Sequence, residues 1–221
     1  MPLRAAPAVT IARTPMEYLK IHPENPQPRL VARVAERLRE GAVIAYPTDS
    51  SYALGCAIGD KAAIERIHRL RGFGREHYFT LICRDLSEIA SYAKVENANF
   101  RLLKAATPGP YTFVLPATRQ VPRWLWHPKR KTIGIRVPAH RTAQAIAEAL
   151  DEPVMSVTLL LPGDDLPLSD PMDVEERIGK EVDVIVDSGP CHVDPTTVLD
   201  LTGAVPKVLR EGRGPLDAIG L

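Results

Sequence analysis

The chain has 221 residues, of which 45% are hydrophobic and 25% are charged, with a formal net charge of +1. This length and composition fit one globular domain with a substantial core, and they exclude a disordered chain and a small disulfide-stapled scaffold. The apolar runs are far shorter than the roughly 20 residues that cross a bilayer, so we expect no membrane segment and no secretory signal. Three widely spaced cysteines predict reduced thiols in a cytoplasmic protein.

The beginning of the chain predicts a tail, a strand and a helix. Residues 1–15 are rich in alanine and proline, and we expect them to form a mobile tail before a domain over residues 16–214. Residues 17–21 predict a short edge strand. Asn25 predicts the N-cap of a helix with a proline in its first turn, and Gly41 predicts the end of that helix.

The next segment predicts a strand, a loop and a second helix. Residues 42–46 are apolar and of strand length, and residues 48–59 are expected to form a loop. Asp60 predicts the N-cap of a helix whose apolar residues recur at helical spacing. An arginine-rich loop over residues 71–77 then leads to a strand over residues 78–83.

The remainder of the chain continues the alternation of helices and strands. Polar residues 164–173 predict a surface loop, and residues 215–221 a C-terminal tail. The alternation predicts one α/β (or α+β) domain, with a twisted mixed sheet flanked by helices. The further helices are predicted over residues 85–93, 97–106 and 140–150, the strands over residues 111–115, 131–137 and 154–157, and the closing elements over residues 173–178, 182–186, 197–201 and 207–210.

The charges are distributed unevenly along the chain. Residues 97–147 contain nine arginines and lysines and no acid, whereas residues 148–187 contain twelve acids and only two bases. This asymmetry predicts one electropositive face suited to phosphate or nucleic acid. The alternative is that the two segments are neighbours in space and neutralise each other.

Common motifs for nucleotide, metal and hydrolase sites do not occur. The sequence has no Walker-type phosphate loop and no G-x-S-x-G turn, and Cys191-His192 has no further cysteine pair near it, so no metal site is predicted. Trp124 and Trp126 lie among basic residues. Such aromatic residues either stack on nucleobases or anchor the edge of a core, and the sequence leaves both roles open.

Three groups of residues carry chemistry that fits an anionic ligand. The loop Tyr46-Pro47-Thr48-Asp49-Ser50-Ser51-Tyr52 follows a strand and is dense in hydroxyls, which bind a ligand or satisfy the loop's own backbone. Arg66, Arg69 and Arg71 lie near one helix end, where guanidinium groups bind phosphate or form a solvated basic face. The third group consists of hydroxyls near the later strands, Ser156, Thr158, Thr196 and Thr197.

Several ordered motifs together resemble the YrdC/YciO family of threonylcarbamoyl-AMP synthases. The match extends over about residues 18–214, nearly the whole chain, and its runs are GAVIAYPTDSSYALGC, TPGPYTFVLPAT, KTIGIRVP, DSGPCHVDPTTVLDLT and VLREGRG. The YPTDS loop and the runs FTLICRDLSEIASY and KRKTIGIRVP are most similar to the YciO-type members. The resemblance implies a single YrdC-like domain with a large basic concave cleft.

The resemblance also implies an activity and its site. Members of the family form threonylcarbamoyl-adenylate and pyrophosphate from L-threonine, bicarbonate and ATP with Mg²⁺, for the t6A modification of tRNA. Fixed cations would stabilise the charge that develops on the α-phosphoryl group. Residues matching the family's threonine site are Thr48, Arg136 and Ser156, and residues matching its nucleotide site are Arg69, Arg71, Thr158, Thr196, Thr197 and Arg210, with Arg69 and Arg71 as the catalytic pair.

Three departures from the family pattern support a second interpretation. Arg69 replaces the family lysine, Leu160 replaces an asparagine, and His77 and Tyr78 differ from the synthases downstream of the arginines. The alternative is a protein that binds tRNA or double-stranded RNA, or that acts differently on threonylcarbamoylated tRNA. RNA would contact basic residues of the cleft wall, and a monomer or weak dimer is expected; the predicted contacts are Arg123, Lys129, Arg130 and Lys131.

Overall fold

A computed structural model describes residues 15–72, 79–127, 129–203 and 205–221. The predicted tail, except for residue 15, and the departures at His77 and Tyr78 lie outside these residues. The described strands are β1 (Glu17–Lys20), β2 (Ile44–Pro47), β3 (Tyr52–Ala57), β4 (Thr80–Ile82), β5 (Tyr111–Pro116), β6 (Thr132–Arg136), β7 (Val154–Thr158), β8 (Val184–Asp187), β9 (Thr197–Asp200) and β10 (Lys207–Arg210). The described helices are α1 (Pro28–Arg39), α2 (Lys61–Arg71), α3 (Leu86–Tyr92), α4 (Asn97–Ala106), α5 (Arg141–Leu150) and α6 (Pro171–Ile178).

All ten strands form one mixed sheet in the order β1-β8-β2-β3-β7-β4-β6-β5-β9-β10. β2 is parallel to β8 and antiparallel to β3, while β6 is parallel to β4 and antiparallel to β5. These pairings confirm the predicted mixed α/β fold. None of the described helices is long and apolar enough to span a bilayer.

The two faces of the sheet carry separate cores. Residues of α2, α3, α4 and α6 pack with alternate strand residues such as Leu54 and Phe113 in the larger core. On the opposite face, α1 and α5 pack against residues such as Ile44 and Val184. Burial of apolar side chains on both sides explains why the central strands are apolar throughout rather than alternating with polar residues.

The smaller core covers only part of its face. α1 and α5 lie over β8, β2, β3 and the adjoining ends of β7 and β4. Beyond them, alternate residues of β5 and β9, and the middle residue of β6, are only half-buried, although their neighbours in sequence are buried. We refer to this region as the open face, defined by Thr112, Val114, Gly134, Val198 and Asp200.

The first helix begins later than the sequence predicts. Asn25 was expected to be its N-cap, but α1 begins at Pro28 and Gln27 occupies the N-cap position. The reason is a turn around His22, whose ring Nδ1 accepts the backbone N–H groups of Glu24 and Asn25 at 3.2 and 3.1 Å. Asn25 therefore belongs to a turn that precedes the helix.

The predicted loop over residues 48–59 contains a central strand. Only residues 48–51 form the loop, and β3 then lies between β2 and β7 with nearly every residue buried. The sequence did not predict this strand, because glycine, here Gly55, is unfavourable in the interior of most strands. Here it is required: a Cβ atom at Gly55 would lie 2.9 Å from both Tyr46 Cε1 and Val154 Cγ1.

The C-terminal segment packs against the domain, where the sequence predicted a tail. Residues Asp217–Ile219 form a 3₁₀ turn that contacts α4, and Ile219 belongs to the larger core. The Tyr111 hydroxyl donates a hydrogen bond of 2.8 Å to the Pro215 carbonyl oxygen. Residues 215–221 thus extend the domain by one short packed element.

Candidate functional site

The loop between β2 and β3 is closed by its own hydroxyl groups. Thr48 Oγ1 accepts the backbone N–H groups of Ser50 and Ser51, each at 3.2 Å, and donates to the Ser51 carbonyl oxygen at 2.7 Å. All three residues are buried. Thr48 therefore satisfies the backbone groups of its own turn, which is one of the two roles predicted for the hydroxyls of this loop. The turn holds Asp49 and Ser50 at its tip.

Arg136, at the end of β6, is held against this loop although only 6% of its surface is exposed. Its Nη1 donates to Ser50 Oγ at 3.1 Å, and its Nη2 forms an ion pair with the Asp49 carboxylate. The second Asp49 oxygen accepts the backbone N–H of Ala139 at 2.9 Å. The structure thus brings Thr48 and Arg136, both predicted site residues, to one place.

Ser156 joins the same cluster through Tyr46. The fully buried Tyr46 hydroxyl donates to Ser156 Oγ at 2.6 Å, and the absence of a side chain at Gly55 allows the ring to lie across β3. Burial raises the pKa of Tyr46 well above its usual range, so the hydroxyl stays protonated and remains a donor. Arg136 and Ser156 point to the same side of the sheet, because Ile135 and Met155 belong to the core on the other side.

A second guanidinium lies beside the same region. Arg210 Nε and Nη2 donate to the Thr196 carbonyl oxygen at 3.1 and 2.9 Å, and the Thr196 hydroxyl is 2.9 Å from that of Thr112 on the open face. Desolvation lowers the pKa of Arg210, and the positive charge of Arg136 lowers it further. Two cations that affect each other in this way are suited to hold an anion such as a carboxylate or a phosphate.

The other predicted hydroxyls differ in availability. Thr197 is fully buried, and its Oγ1 donates to the Gly214 carbonyl oxygen at 2.6 Å and accepts the Gly212 N–H at 3.0 Å. Thr197 therefore holds the loop that follows β10. Thr158, at the end of β7, is exposed.

The three arginines of α2, for which the sequence left a phosphate site and a solvated basic face open, occupy three different environments. Arg66 Nη1 forms an ion pair of 2.7 Å with Asp183, whose carboxylate also accepts the Val43 N–H at 2.7 Å. Arg69 is exposed, and its Nε donates to the Glu65 carbonyl oxygen at 3.4 Å. Arg71 is buried, and this burial lowers its pKa to about 10. Arg66 therefore has a structural partner.

The acid-free segment over residues 97–147 does not form one wall, contrary to the prediction. α4 packs into the larger core and α5 into the smaller core on the opposite face, so their basic residues point in different directions. The recorded ion pairs of this segment connect Arg130 with Asp200, Arg136 with Asp49 and Arg141 with Glu24, and none of these acids lies in the acidic segment. Charged residues of the acid-free and the acidic segment thus form ion pairs with residues elsewhere in the chain.

The two tryptophans lie in different environments. Trp124 is 45% exposed, with Lys61 Nζ 5.5 Å from the centre of its ring, whereas Trp126 packs against the larger core and donates to the Val121 carbonyl oxygen at 2.9 Å. Beyond them, Lys129, Arg130 and Lys131 are exposed in a turn organised by His127 Nδ1, which accepts the N–H groups of Lys129 and Arg130.

Sequence reasoning missed two side chains at the site. Half-buried His140 is affected electrostatically by Asp49 and Arg136, and burial lowers its pKa so that the ring is neutral at pH 7. Cys191 is also affected by both charges, and burial raises the pKa of its thiol to about 12. Cys191 and the other two cysteines are free thiols, as predicted. Cys191 lies inside the run DSGPCHVDPTTVLDLT, and His140 follows the run KTIGIRVP by two residues, so both are close to the motifs that carry the resemblance.

Comparison with known proteins places this geometry in a family. The Sua5/YciO/YrdC family model, described as telomere recombination, matches residues 36–212. The uncharacterized protein YciO of Escherichia coli (strain K12) is 53% identical over 198 residues, 90% of this chain and 96% of YciO. Its crystal structure superposes with a TM-score of 0.88 and covers 92% of this chain and 99% of that one.

More distant relatives have a named activity. A threonylcarbamoyl-AMP synthase of Nitrosococcus oceani is 37% identical over 159 residues, 72% of this chain and 83% of the synthase. A crystal structure of P. abyssi Sua5 complexed with L-threonine superposes with a TM-score of 0.84 at 27% identity, covering 91% of this chain and 59% of Sua5. The resemblance found in the sequence motifs is thereby confirmed.

Proposed function

The chain belongs to the Sua5/YciO/YrdC family, and from this premise we propose that it forms threonylcarbamoyl-adenylate from L-threonine, bicarbonate and ATP. The main support is the cluster of Arg136, Thr48 and Ser156 at the edge of the open face. Guanidinium and hydroxyl groups at that place suit an amino acid with a carboxylate and a side-chain hydroxyl. The similarity to Sua5, whose structure contains L-threonine, agrees with this choice of substrate.

In the proposed site, the nucleotide lies beside the amino acid. Arg210 and Thr196 are assigned to phosphate oxygens, because they adjoin Arg136 on the open face. The family motif assigns Thr158, Arg69 and Arg71 to the nucleotide. Thr197 is also assigned to the nucleotide, because it holds the loop that follows β10. Mg²⁺ would arrive with ATP, bound through triphosphate oxygens, and would need few protein ligands.

The proposed reaction has two steps, formation of a carbamate and its transfer to the α-phosphorus of ATP. The amine of L-threonine attacks bicarbonate and forms a carbamate with loss of water. A carbamate oxygen then attacks the α-phosphorus of ATP and displaces pyrophosphate. Charge develops on the phosphoryl oxygens in this second step, where nearby guanidinium groups stabilise it.

The free thiols are consistent with the cytoplasmic location predicted from the sequence.

Product analysis by mass spectrometry tests the proposal directly. The protein is incubated with ATP, L-threonine, bicarbonate and Mg²⁺, and threonylcarbamoyl-adenylate and pyrophosphate are expected. Arg210→Ala should lower the rate about tenfold or more, because it removes a charge-assisted contact. Arg29→Ala, at an exposed position of α1, is the matched control and should retain the full rate. Absence of the adenylate from the folded wild-type protein would contradict the proposal.

A second candidate function is RNA binding, which the exposed Trp124 supports. An exposed indole beside several cations is typical of surfaces that stack on a base and contact the backbone phosphates. In the sequence, Arg123 directly precedes Trp124, and the basic residues that follow it within seven positions are Lys129, Arg130 and Lys131, all exposed like Arg123. A tRNA or double-stranded RNA would bind at this surface, alone or as the recipient of the threonylcarbamoyl group.

Salt dependence separates this function from adenylate formation. Affinity for tRNA should fall about a thousandfold between 50 and 200 mM salt if about six phosphates are contacted. Reversing the charges of Lys129, Arg130 and Lys131 should abolish binding. The control reverses three exposed bases on other elements, Lys20, Arg29 and Lys94. Equal binding by the two variants, or no response to salt, would contradict RNA binding at this surface.

A further inference from the structure

The carboxylate of Asp49 is bound as a substrate carboxylate would be. One of its oxygens pairs with Arg136 Nη2, and the other accepts the Ala139 N–H at 2.9 Å. A guanidinium on one oxygen and a backbone N–H on the other are the usual donors for a bound carboxylate. The Asp49 side chain is 11% exposed and that of Arg136 is 8% exposed, so the pair is largely removed from solvent.

We propose that Asp49 is a specificity-determining residue that competes, as an internal carboxylate, with the carboxylate of the amino-acid substrate for Arg136. The inference rests on the proposed function, because it takes L-threonine as the ligand of this site. In this arrangement, a free amino acid binds only after it displaces Asp49. A ligand without a carboxylate does not compete for Arg136.

The contacts indicate that Asp49 is not needed to position Arg136. Arg136 is buried at the end of a sheet strand, and its Nη1 also donates to Ser50 Oγ. The loop itself is closed by the hydroxyl of Thr48, so its shape does not depend on the Asp49 side chain. Loss of the Asp49 charge would therefore leave the guanidinium in place and free to bind another carboxylate.

Arg136 also has capacity for a further acceptor. Its Nε is buried and makes no hydrogen bond with any residue in the described ranges. A buried donor without an acceptor is unfavourable, and an incoming carboxylate would satisfy it. While Asp49 stays bound, however, a second carboxylate at the same guanidinium meets a like charge at close range.

The experiment compares Asp49→Asn with the wild-type protein by calorimetric titration. Asparagine has nearly the same shape but no charge, so L-threonine should bind about tenfold to a hundredfold more tightly to the variant. L-threoninol, which lacks the carboxylate, should bind both proteins within about twofold. Asp173→Asn, an exposed acid on α6, controls for net charge and should match the wild type.

The outcomes distinguish this inference from the proposed function. If L-threonine binds Asp49→Asn no more tightly than the wild type, or binds neither protein, the inference is wrong. Asp49→Ser is measured as well, with thermal unfolding of both variants, so that a misfolded asparagine variant does not decide the result. If the affinity rises but no protein forms the adenylate from ATP and bicarbonate, the inference stands and the proposed reaction fails.

Discussion

The hydrogen bond between Tyr46 and Ser156 should contribute measurably to stability, because it lies in a fully buried environment. Its length is 2.6 Å, and burial raises the pKa of Tyr46 so that the donor proton is retained. Tyr46→Phe keeps the packing of the ring but leaves Ser156 Oγ without this partner. The expected loss in the free energy of unfolding is about 1–2 kcal/mol.

The same bond predicts a coupling that packing alone would not produce. Ser156→Ala leaves the Tyr46 hydroxyl buried without its acceptor and should cost about 1–3 kcal/mol. The double variant removes both polar groups, so its cost should be below the sum of the two single changes by about 1 kcal/mol or more.

Urea unfolding of the four proteins measures this coupling, and thermal unfolding gives an independent check. A loss of 1–2 kcal/mol lowers the melting temperature of a domain of this size by about 2–8 °C. Tyr92→Phe is the control, because this half-buried tyrosine makes no side-chain hydrogen bond with the described residues. Costs that add within about 0.3 kcal/mol would refute the reasoning, since additivity is the behaviour of independent sites.

Five further substitutions test three other parts of the structure. Arg69→Ala and Arg71→Ala should each lower ATP affinity by about ten- to a hundredfold in calorimetric titrations, whereas Arg69→Lys should retain the affinity. Equal ATP affinities in all of these proteins would exclude a phosphate contact at this helix end. Arg66→Ala removes the partner of largely buried Asp183 and should cost about 1–3 kcal/mol in urea unfolding without changing ATP affinity. Gly55→Ala places a Cβ atom 2.9 Å from two side-chain carbons and should cost about 1–3 kcal/mol, so an unchanged melting temperature would contradict that close packing.

Elements whose signals are local were predictable from the sequence. Asp60 is the N-cap of α2, where its side chain accepts the Ala63 N–H, and Asp85 has the same role in α3. The apolar spacing of Ile64 and Ile67 predicted the buried face of α2 correctly. These signals act within one or two turns of helix, so neighbouring residues are sufficient to specify them.

Elements that depend on distant partners were not predictable in the same way. β3 follows a hydroxyl-rich turn and contains Gly55, and it becomes a strand because β2 and β7 pair with it on either side. The segment over residues 215–221 looked like a tail, yet Ile219 has a place in the core beside α4. In both cases, the stabilising contacts come from residues far away in the chain.

By itself, the sequence determined the fold class, most helices and strands, and the family, because periodicity, caps and ordered motifs are written in consecutive residues. The tertiary structure decided which side chains meet. Arg136 reaches Asp49 across 87 residues, and Tyr46 reaches Ser156 across 110. The structure also separated Arg66, Arg69 and Arg71, which are close together in the sequence, into an ion pair, an exposed position and a buried one. Whether a cation binds a ligand or an internal acid depends on the groups that the folded chain brings within hydrogen-bond distance, and helical spacing cannot supply that information.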